Sequence, residues 1–392
     1  MAATTNENVE VREIDYQKGR GLFSNKAFKK EDIIFEEEPL VCAQFVWNKF
    51  YHYTACEYCL RSLETAEEMG RRLTENSSLI LPYPECCGVN VADFAVCKQC
   101  QAVYCNEECL KQAWTEYHQV LCMGSSCSDS EHPLNKLQEI WRNIHMPPES
   151  SSIMLVSRMV AMVKQAKDRP TILNAFTQFS KATENEETGF AHKLLGKQFE
   201  EQLELLRQMT KEALYEDEIQ QWFTPEGFKS LFALIGRNSQ GIGSSSISVW
   251  VQNCDKLDID ETERQNIDEF IDQLYEDLDR VSADFLNCEG TGLYQLQSLC
   301  NHSCTPNVEV TFPHGNHRLA LTALQDIPPG EELCISYLDE CTQERSRHSR
   351  QRILRENYLF QCICPKCLSQ ADDPDLTSEE EEEMDEGDEG VS

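Results

Sequence analysis

Hydrophobic residues follow two different periods along the chain. Short apolar and β-branched runs lie between positions 9 and 45, around the turn Gly19-Arg20-Gly21, and return after position 287 at 308–312, 319–323 and 332–337. Runs of this kind, bounded by glycine and proline, predict β-strands. Between about 135 and 286 the apolar residues recur every three or four positions, which predicts helices. Strands therefore enclose helices in sequence, and we expect an α+β fold.

The helical stretch contains several amphipathic segments. One apolar face is formed by Ile153, Leu155, Val156, Met159, Val160 and Val163, and another by Leu194, Phe199, Leu203, Leu206 and Met209. Further helices are predicted over 224–234, with Thr224 as the N-cap before Pro225, and over 261–278. The glycines at 241 and 243 predict an ordinary loop. A phosphate-binding turn is disfavoured, because no Gly-Lys-Ser/Thr follows them.

Acidic residues dominate the charge of the chain. The formal net charge is −33, and residues 371–392 alone contain twelve carboxylates and no Lys or Arg. Direct nucleic-acid binding is disfavoured, because its affinity comes from Lys and Arg that neutralise phosphates. A basic protein partner is favoured instead. The run 378–390 predicts a disordered tail, which serves either solubility or the electrostatic attraction of a Lys/Arg-rich substrate.

The cysteine content indicates metal binding in a reducing compartment. The N-terminus lacks a basic segment followed by an apolar one, and no stretch reaches the roughly eighteen apolar residues of a spanning helix. We therefore expect a monomeric protein of the cytoplasm, with access to the nucleus, that does not enter a membrane. In such a protein the twenty cysteines indicate metal-bound thiolates rather than disulfides.

Eight side chains between 56 and 122 have the spacing of zinc ligands. They form Cys56-x2-Cys59, Cys97-x2-Cys100, Cys105-x3-Cys109 and His118-x3-Cys122. Complete tetrahedral sets leave no open position on the ion, so these sites are predicted to be structural. The series resembles the MYND zinc finger. That resemblance implies interleaved pairs, with Cys56, Cys59, Cys105 and Cys109 on one ion and Cys97, Cys100, His118 and Cys122 on the other.

The spacing by itself leaves the pairing of these ligands open. A sequential pairing is equally compatible with it. The 37 residues between Cys59 and Cys97 are more than a compact finger of this type contains. Cys86 and Cys87 fall in this insert, so either is an alternative ligand at this point.

A second cysteine group lies near the end of the chain. Cys362, Cys364 and Cys367 supply three thiolates, and tetrahedral zinc needs a fourth ligand. Cys304 is the candidate, and a third zinc ion would then join the C-terminal segment to the middle of the chain. The other nine cysteines, including Cys42, Cys254, Cys288, Cys300, Cys334 and Cys341, are interpreted as small buried hydrophobic residues.

Four further motifs, together with both cysteine groups in this order, resemble the SET and MYND domain family of lysine methyltransferases over about residues 9–368. The motifs are Lys18-Gly19-Arg20-Gly21-Leu22, Gly290-Thr291-Gly292-Leu293-Tyr294, Asn301-His302-Ser303-Cys304-Thr305-Pro306-Asn307 and Gly330-Glu331-Glu332-Leu333-Cys334-Ile335-Ser336-Tyr337. The acidic tail and the absence of a C-terminal helical domain are similar to the short form of that family. The resemblance implies a protein-lysine N-methyltransferase that uses S-adenosylmethionine and holds three structural zinc ions.

The resemblance also implies how the chain is divided. The expected segments are the N-terminal part of a split SET domain (1–50), a MYND-type zinc finger (51–123), a helical insertion (124–286), the C-terminal part of the SET core with its pseudoknot (287–341), a post-SET cysteine segment (342–370) and the acidic tail (371–392).

The resemblance assigns roles to individual residues, each with a physical basis. The donor-binding residues would be Lys18, Gly19, Arg20, Gly21, Ser298, Asn301, His302, Tyr337 and Phe360. Glycines let the backbone approach a ligand, and an aromatic ring can stack on adenine. Tyr337 is the predicted catalytic residue, because methyl transfer needs an aligned neutral amine more than a strong base. Tyr294 and Tyr358 are predicted to wall an apolar channel for the lysine stem.

Two other functions are compatible with parts of the sequence. One is a catalytically silent adaptor whose zinc finger docks a proline-rich peptide, although such a protein has no need of Tyr337, Asn301 and His302 together. The other is a thiol hydrolase that pairs His302 with Cys304, although no third group orients them and zinc competes for the thiol. For the methyltransferase, basic substrates are expected, with histones and ribosomal proteins as the abundant classes.

The arginines at 345, 347, 350, 352 and 355 are interpreted as a solvated helix face.

Overall fold

The computed structural model describes residues 6–15, 18–144, 152–180, 184–185, 190–191, 199–281 and 287–375. The strands are β1 (Val9–Asp15), β2 (Gly19–Ser24), β3 (Ile33–Glu37), β4 (Val41–Gln44), β5 (Ala95–Val96), β6 (Val103–Tyr104), β7 (Glu184–Asn185), β8 (Phe190–Ala191), β9 (Ser239–Ser244), β10 (Cys288–Leu293), β11 (Asn301–His302), β12 (Val308–Thr311), β13 (Leu319–Ala323) and β14 (Cys334–Ile335). The predicted tail beyond 375 and Leu194 of the predicted second apolar face lie outside the described residues.

The helices occupy mainly the middle of the chain. They are α1 (Trp47–Phe50), α2 (Ala66–Leu73), α3 (Glu107–Ala113), α4 (Gln119–Leu121), α5 (Pro133–Ile144), α6 (Ile153–Gln165), α7 (Arg169–Thr177), α8 (Glu200–Leu214), α9 (Pro225–Asn238), α10 (Ser246–Cys254), α11 (Glu261–Val281), α12 (Glu340–Glu344), α13 (Arg347–Tyr358) and α14 (Pro365–Ser369). The predicted cap of α9 forms, because the Thr224 hydroxyl accepts the Gly227 amide over 3.1 Å. No described helix has the length and apolar character needed to cross a bilayer.

The β-rich core joins the two ends of the chain. β3 from the N-terminal part is the edge strand of a sheet ordered β12-β13-β3, and β4 pairs with β10 from the C-terminal part. β1 and β2 form an antiparallel hairpin. Apolar side chains from these strands, among them Leu22, Ile34 and Leu321, are buried together. The α+β expectation is confirmed, with strands from both ends sharing one core.

The predicted loop at Gly241 and Gly243 is wrong. Residues 239–244 form β9, which pairs along its whole length with β10 in a sheet ordered β4-β10-β9. The strand pattern is hidden in the sequence because only Ile242 is apolar and the other residues are glycine, serine and one glutamine. β9 brings the helical insertion back to the β-rich core before α10 begins.

The zinc-finger region and the first helices of the insertion share a single apolar core. Tyr104 and Tyr117 from the finger are buried in the same cluster as Leu155 and Val160 of α6. The finger was expected to be a separate small module. Its own apolar face is instead completed by α6, since so small a metal-held unit has few hydrophobic residues to bury.

The long insert between Cys59 and Cys97 has its own packing partner. α2 and the short 3₁₀ turn Pro84–Cys87 lie against α10 and α11, and all of them contribute to a third apolar cluster. Cys86 and Cys87 are buried in this cluster rather than placed among zinc ligands. The additional residues therefore form a docking element for the end of the helical insertion.

Arg158 connects three parts of the fold. It lies on the apolar face of α6, yet its guanidinium is buried and donates to the Cys42 carbonyl in β4 over 2.6 Å. It also donates to the Glu57 carbonyl in the zinc finger over 2.7 Å and lies 4.6 Å from the centre of the Tyr117 ring. A buried charge of this kind is tolerated because two of its nitrogens donate hydrogen bonds, the Glu57 carboxylate lies 3.3 Å away and the Tyr117 ring covers the guanidinium.

Replacing Arg158 by Met should lower the free energy of unfolding by about 1–3 kcal/mol, because the buried Cys42 carbonyl loses this donor, whereas the Glu57 carbonyl keeps the Tyr117 hydroxyl. The matched control is Arg280→Met on α11, where an exposed arginine pairs with Asp277 and about 1 kcal/mol or less is expected. Urea unfolding of the zinc-loaded proteins measures both. Equal shifts in the two variants would contradict the role of Arg158.

Candidate active site

Three distant segments of the chain meet at a short ribbon, residues 331–335. On one side the ribbon bonds to β2, where the Leu333 amide donates to the Leu22 carbonyl over 2.7 Å. On the other side β14 runs parallel to β11, with Asn301 opposite Cys334. The glycine turn, the Asn-His pair and the strand that leads to the predicted catalytic tyrosine are therefore neighbours.

The donor turn, residues 18–21, has an accessible backbone beside an amide side chain. Gly19 has a positive φ of 67°, and a Cβ built there would meet no atom within 4 Å. At Gly21 a Cβ would lie 3.0 Å from the Asn301 amide nitrogen and 2.6 Å from the Ile14 side chain, so any larger residue would displace both side chains. The Asn301 amide donates to the Arg20 carbonyl over 3.1 Å. An open turn with adjacent polar groups fits the amino-acid end of S-adenosylmethionine.

Both basic side chains of the donor turn already have partners. Lys18 Nζ lies 2.9 Å from a carboxylate oxygen of Glu332, whose other oxygen accepts the Asn301 amide at 2.9 Å. Arg20 donates to the carbonyl of Gln178, just beyond α7, over 2.7 Å. Glu332 was missed as a site residue, although it stands in the Gly-Glu-Glu motif. It holds the lysine and the asparagine in place together.

The aromatic part of the site is a cluster around Tyr337. The Tyr337 ring centre lies 4.7 Å from that of Tyr358, 5.4 Å from that of His302 and 6.2 Å from that of Phe360. Phe360 is half-buried, so part of its ring is available to a ligand. Ser298 lies in the 3₁₀ turn Gln297–Leu299, just before β11, and its hydroxyl is 3.4 Å from the Gln295 carbonyl.

Tyr337 is held at both ends. Its hydroxyl donates to the Cys300 carbonyl over 2.7 Å, and its backbone amide donates to His302 Nδ1 over 3.0 Å. Burial raises the pKa of the phenol well above its ordinary value. The phenol therefore stays neutral, and its oxygen lone pairs remain free to accept a hydrogen bond from an amine.

Tyr294 does not line this aromatic cluster. Its ring is fully buried in the β-rich core, and its hydroxyl donates to the His317 carbonyl. A ring with no accessible surface offers no wall to a substrate, so the geometry corrects the predicted channel role to a core role. Tyr358, the other predicted wall, contacts Tyr337 directly.

Arg237 is a further charged residue near Tyr337 that the sequence analysis missed. It lies in the last turn of α9, and its charge interacts with Tyr337. Burial lowers the pKa of this arginine. Helical spacing gave no signal of this interaction.

The first two metal groups have the interleaved arrangement that the MYND resemblance implies. Cys56, Cys59, Cys105 and Cys109 lie together, and so do Cys97, Cys100, His118 and Cys122. The measured contacts are 3.6 Å between the Cys59 and Cys105 sulfurs and 3.4 Å between Cys100 Sγ and His118 Nε2. Four thiolates about 2.3 Å from one zinc ion lie about 3.8 Å apart, so these donor sets fit zinc.

The third metal group joins Cys304 to the C-terminal cysteines. Its members are Cys304, Cys362, Cys364 and Cys367, and the sulfurs of Cys304 and Cys367 lie 3.6 Å apart. Four thiolates fit a closed structural zinc site. The hydrolase interpretation is not supported, because the Cys304 sulfur lies among three other thiols. The same sulfur is 3.3 Å from His302 Nε2, and burial lowers the pKa of that imidazole to about 4.

Arg350 was misinterpreted as part of a solvated face. Its side chain has no exposed surface. One end nitrogen lies 3.8 Å from the Cys367 sulfur and donates to the Gln370 side chain over 2.7 Å. A guanidinium here offsets the negative charge that four thiolates leave around one zinc ion.

A second correction concerns Cys341, which was predicted to be buried and is exposed.

Fold and site together define a SET-type methyltransferase. The SET domain model matches residues 19–338. The chain belongs to the SET and MYND domain family of lysine methyltransferases, as its motifs indicated. It is similar to the protein-lysine N-trimethyltransferase SMYD5 of Gallus gallus, with 59% identity over 374 residues that cover 95% of this chain and 89% of the relative. The corresponding proteins of Danio rerio and Homo sapiens are each 57% identical and cover 97% of this chain, over 92% and 91% of their own length.

The protein is therefore an S-adenosylmethionine-dependent protein-lysine methyltransferase. The resemblance to the SET and MYND domain family is confirmed by these relatives, all of which are SMYD5 proteins. The bound donor supplies a methyl group on a positively charged sulfur, which is open to attack by an amine. The three ligand groups can hold three zinc ions, and their closed donor sets assign them to structure.

Changing Cys304 to Ser should reduce the zinc content from three ions per chain to two, because the third group loses its link to the C-terminal cysteines. Cys300→Ser, four residues earlier and also buried, should retain all three ions. Elemental analysis after dialysis against a weak chelator measures the content. Three ions in Cys304→Ser, or a lost ion in Cys300→Ser, would contradict the assignment.

Proposed function

We propose that this enzyme trimethylates lysines of basic proteins, with histones and ribosomal proteins as the substrate classes. The observation that carries the proposal is the charge of the chain, which is −33 in total with twelve carboxylates in residues 371–392. A strongly acidic protein attracts Lys/Arg-rich partners and raises their rate of encounter. Trimethylation is supported by the names of the SMYD5 relatives, which are protein-lysine N-trimethyltransferases.

We propose Tyr337 as the catalytic residue. Its phenol proton is engaged by the Cys300 carbonyl, so its oxygen can accept an N–H from the substrate amine and turn the nitrogen lone pair toward the donor. Lysine has an ordinary pKa of about 10.4 and must lose a proton first. The aromatic surroundings and the Arg237 charge support the neutral amine, which releases its proton to solvent. Tyr358 is proposed as a channel wall.

The remaining site residues are proposed to bind the methyl donor. Support comes from the accessible backbone at Gly19, the contact of Asn301 with the donor turn and the half-exposed Phe360 ring. The full set is Lys18, Gly19, Arg20, Gly21, Ser298, Asn301, His302, Tyr337 and Phe360. For His302 the proposed donor contact is through its backbone, because both ring nitrogens already have partners.

Three further properties are proposed for the protein as a whole. A monomer is supported by apolar clusters whose buried residues all come from one chain.

A proline-rich peptide partner at the zinc finger is supported by the partly exposed Trp114, since such peptides dock on aromatic surfaces. A cytoplasmic location with access to the nucleus is supported by twenty cysteines that form no disulfide.

Tyr337→Phe should lower kcat at least about 100-fold, because the amine loses the group that orients it. Donor affinity should change little, since the ring and the backbone contact remain. Tyr294→Phe removes a hydroxyl from the core and should retain kcat within a few-fold. Transfer of labelled methyl groups to histone and ribosomal protein fractions, with calorimetry for donor binding, measures both effects. Equal labelling by Tyr337→Phe and the parent protein would refute the mechanism.

Replacing the nine carboxylates between 379 and 389 by Asn and Gln should lower kcat/KM for a basic substrate about 10-fold at low salt. The difference should disappear as added salt shortens the screening length to a few ångströms. The chain length is unchanged, so the variant isolates charge from tail length. An acidic substrate of equal size is the control. A defect that persists at high salt would contradict electrostatic attraction.

A further inference from the structure

The imidazole of His302 lies between the catalytic tyrosine and the third zinc group. Its side chain is almost fully buried in β11. On one side Nδ1 lies 3.0 Å from the backbone nitrogen of Tyr337, and on the other Nε2 lies 3.3 Å from the sulfur of Cys304. The ring therefore contacts both functional units at hydrogen-bond distance.

The chemistry of these contacts fixes the direction of both hydrogen bonds. A backbone N–H can only donate, so Nδ1 must offer its lone pair to Tyr337. The ring proton then lies on Nε2 and points at the Cys304 sulfur, which is a thiolate acceptor when zinc is bound. One tautomer in one orientation satisfies both contacts.

We propose that His302 is a positioning residue that couples the third zinc site to Tyr337. Three consecutive anchors lie in the segment 300–304: the Cys300 carbonyl holds the tyrosine hydroxyl, His302 holds its backbone amide, and Cys304 binds the metal. The zinc site thus fixes the segment that carries both supports of the tyrosine. A displacement of about 1 Å at a reacting group can lower the rate about 100-fold, so this support acts on catalysis.

The proposal rests on the catalytic role proposed for Tyr337, but it concerns a different property. Simple core packing by His302 would make every substitution harm the zinc site and the tyrosine together. The two hydrogen bonds predict instead that the two effects can be separated. His302 itself need not touch the reacting atoms through its ring.

Two substitutions separate the contacts. In His302→Asn the amide reaches the position of Nδ1 and can accept the Tyr337 amide, but it is too short to reach Cys304. In His302→Gln the longer amide reaches the position of Nε2 and can donate to Cys304, but the acceptor for Tyr337 is lost. Ser303→Ala is the matched control, because its hydroxyl turns to the Thr305 carbonyl at 3.0 Å.

The experiment measures zinc release to a metallochromic chelator and, on fully loaded protein, kcat, KM and donor affinity. We expect His302→Asn to release one zinc ion about 10-fold faster and to lose less kcat than His302→Gln, because its amide still accepts the Tyr337 backbone N–H. We expect His302→Gln to retain zinc like the parent and to lose about 10- to 100-fold in kcat, with KM and donor affinity nearly unchanged. Ser303→Ala should match the parent in all measurements.

Three results would overturn the proposal. They are proportional loss of zinc and kcat in both substitutions, parent-like behaviour of both, or a His302→Gln defect that appears only in KM. If His302→Asn does not fold, the split between kcat and zinc retention in His302→Gln decides alone. Failure of the catalytic assignment itself would appear separately, as an active Tyr337→Phe.

Discussion

The whole site depends on a five-residue ribbon that is hydrogen-bonded on both edges. Residues 331–335 bond to β2 from the start of the chain and to β11 from its last third. The buried side chain of Asn307 completes this crossing, because its amide donates to the Glu332 carbonyl and its oxygen accepts the Cys334 amide, each over 2.8 Å. Without this crossing the donor turn and the tyrosine would belong to unrelated surfaces, since more than three hundred residues separate them along the chain.

Metal binding extends this constraint beyond the crossing. The third zinc group ties the C-terminal helices to Cys304, and Tyr358 and Phe360 reach the tyrosine from the segment that this site fixes. The first two groups act at a greater distance. They fold a finger whose apolar face is completed by α6, and Arg158 of α6 then bonds to β4. The free energy of zinc binding therefore stabilises several parts of the fold, because each metal-held segment lacks enough apolar surface to be stable alone.

Sequence reasoning was most successful where function imposes local spacing. The three ligand groups were identified because zinc requires particular residues at particular distances along the chain. It failed where a residue's environment is set by distant segments. Arg350 belongs to a run of five arginines at helical spacing, and nothing in that run indicates that its side chain faces the thiolates of the third zinc group. Likewise, the sequence of β9 has no strand pattern, and this segment is a strand because it pairs with β10.

The charge of the protein raises a conflict that the site geometry resolves. A large negative charge attracts lysine as an ammonium ion, but the transfer requires the neutral amine. Carboxylate charge next to the reacting nitrogen would stabilise its proton and slow the reaction. Glu332, a carboxylate at the donor turn, pairs with Lys18 and accepts a hydrogen bond from the Asn301 amide. Around the tyrosine itself lie the rings of Tyr358 and Phe360, and its phenol interacts with the Arg237 charge. In the proposed function, attraction thus acts at long range through the acidic residues, and proton loss is favoured at short range by the aromatic rings and the Arg237 charge.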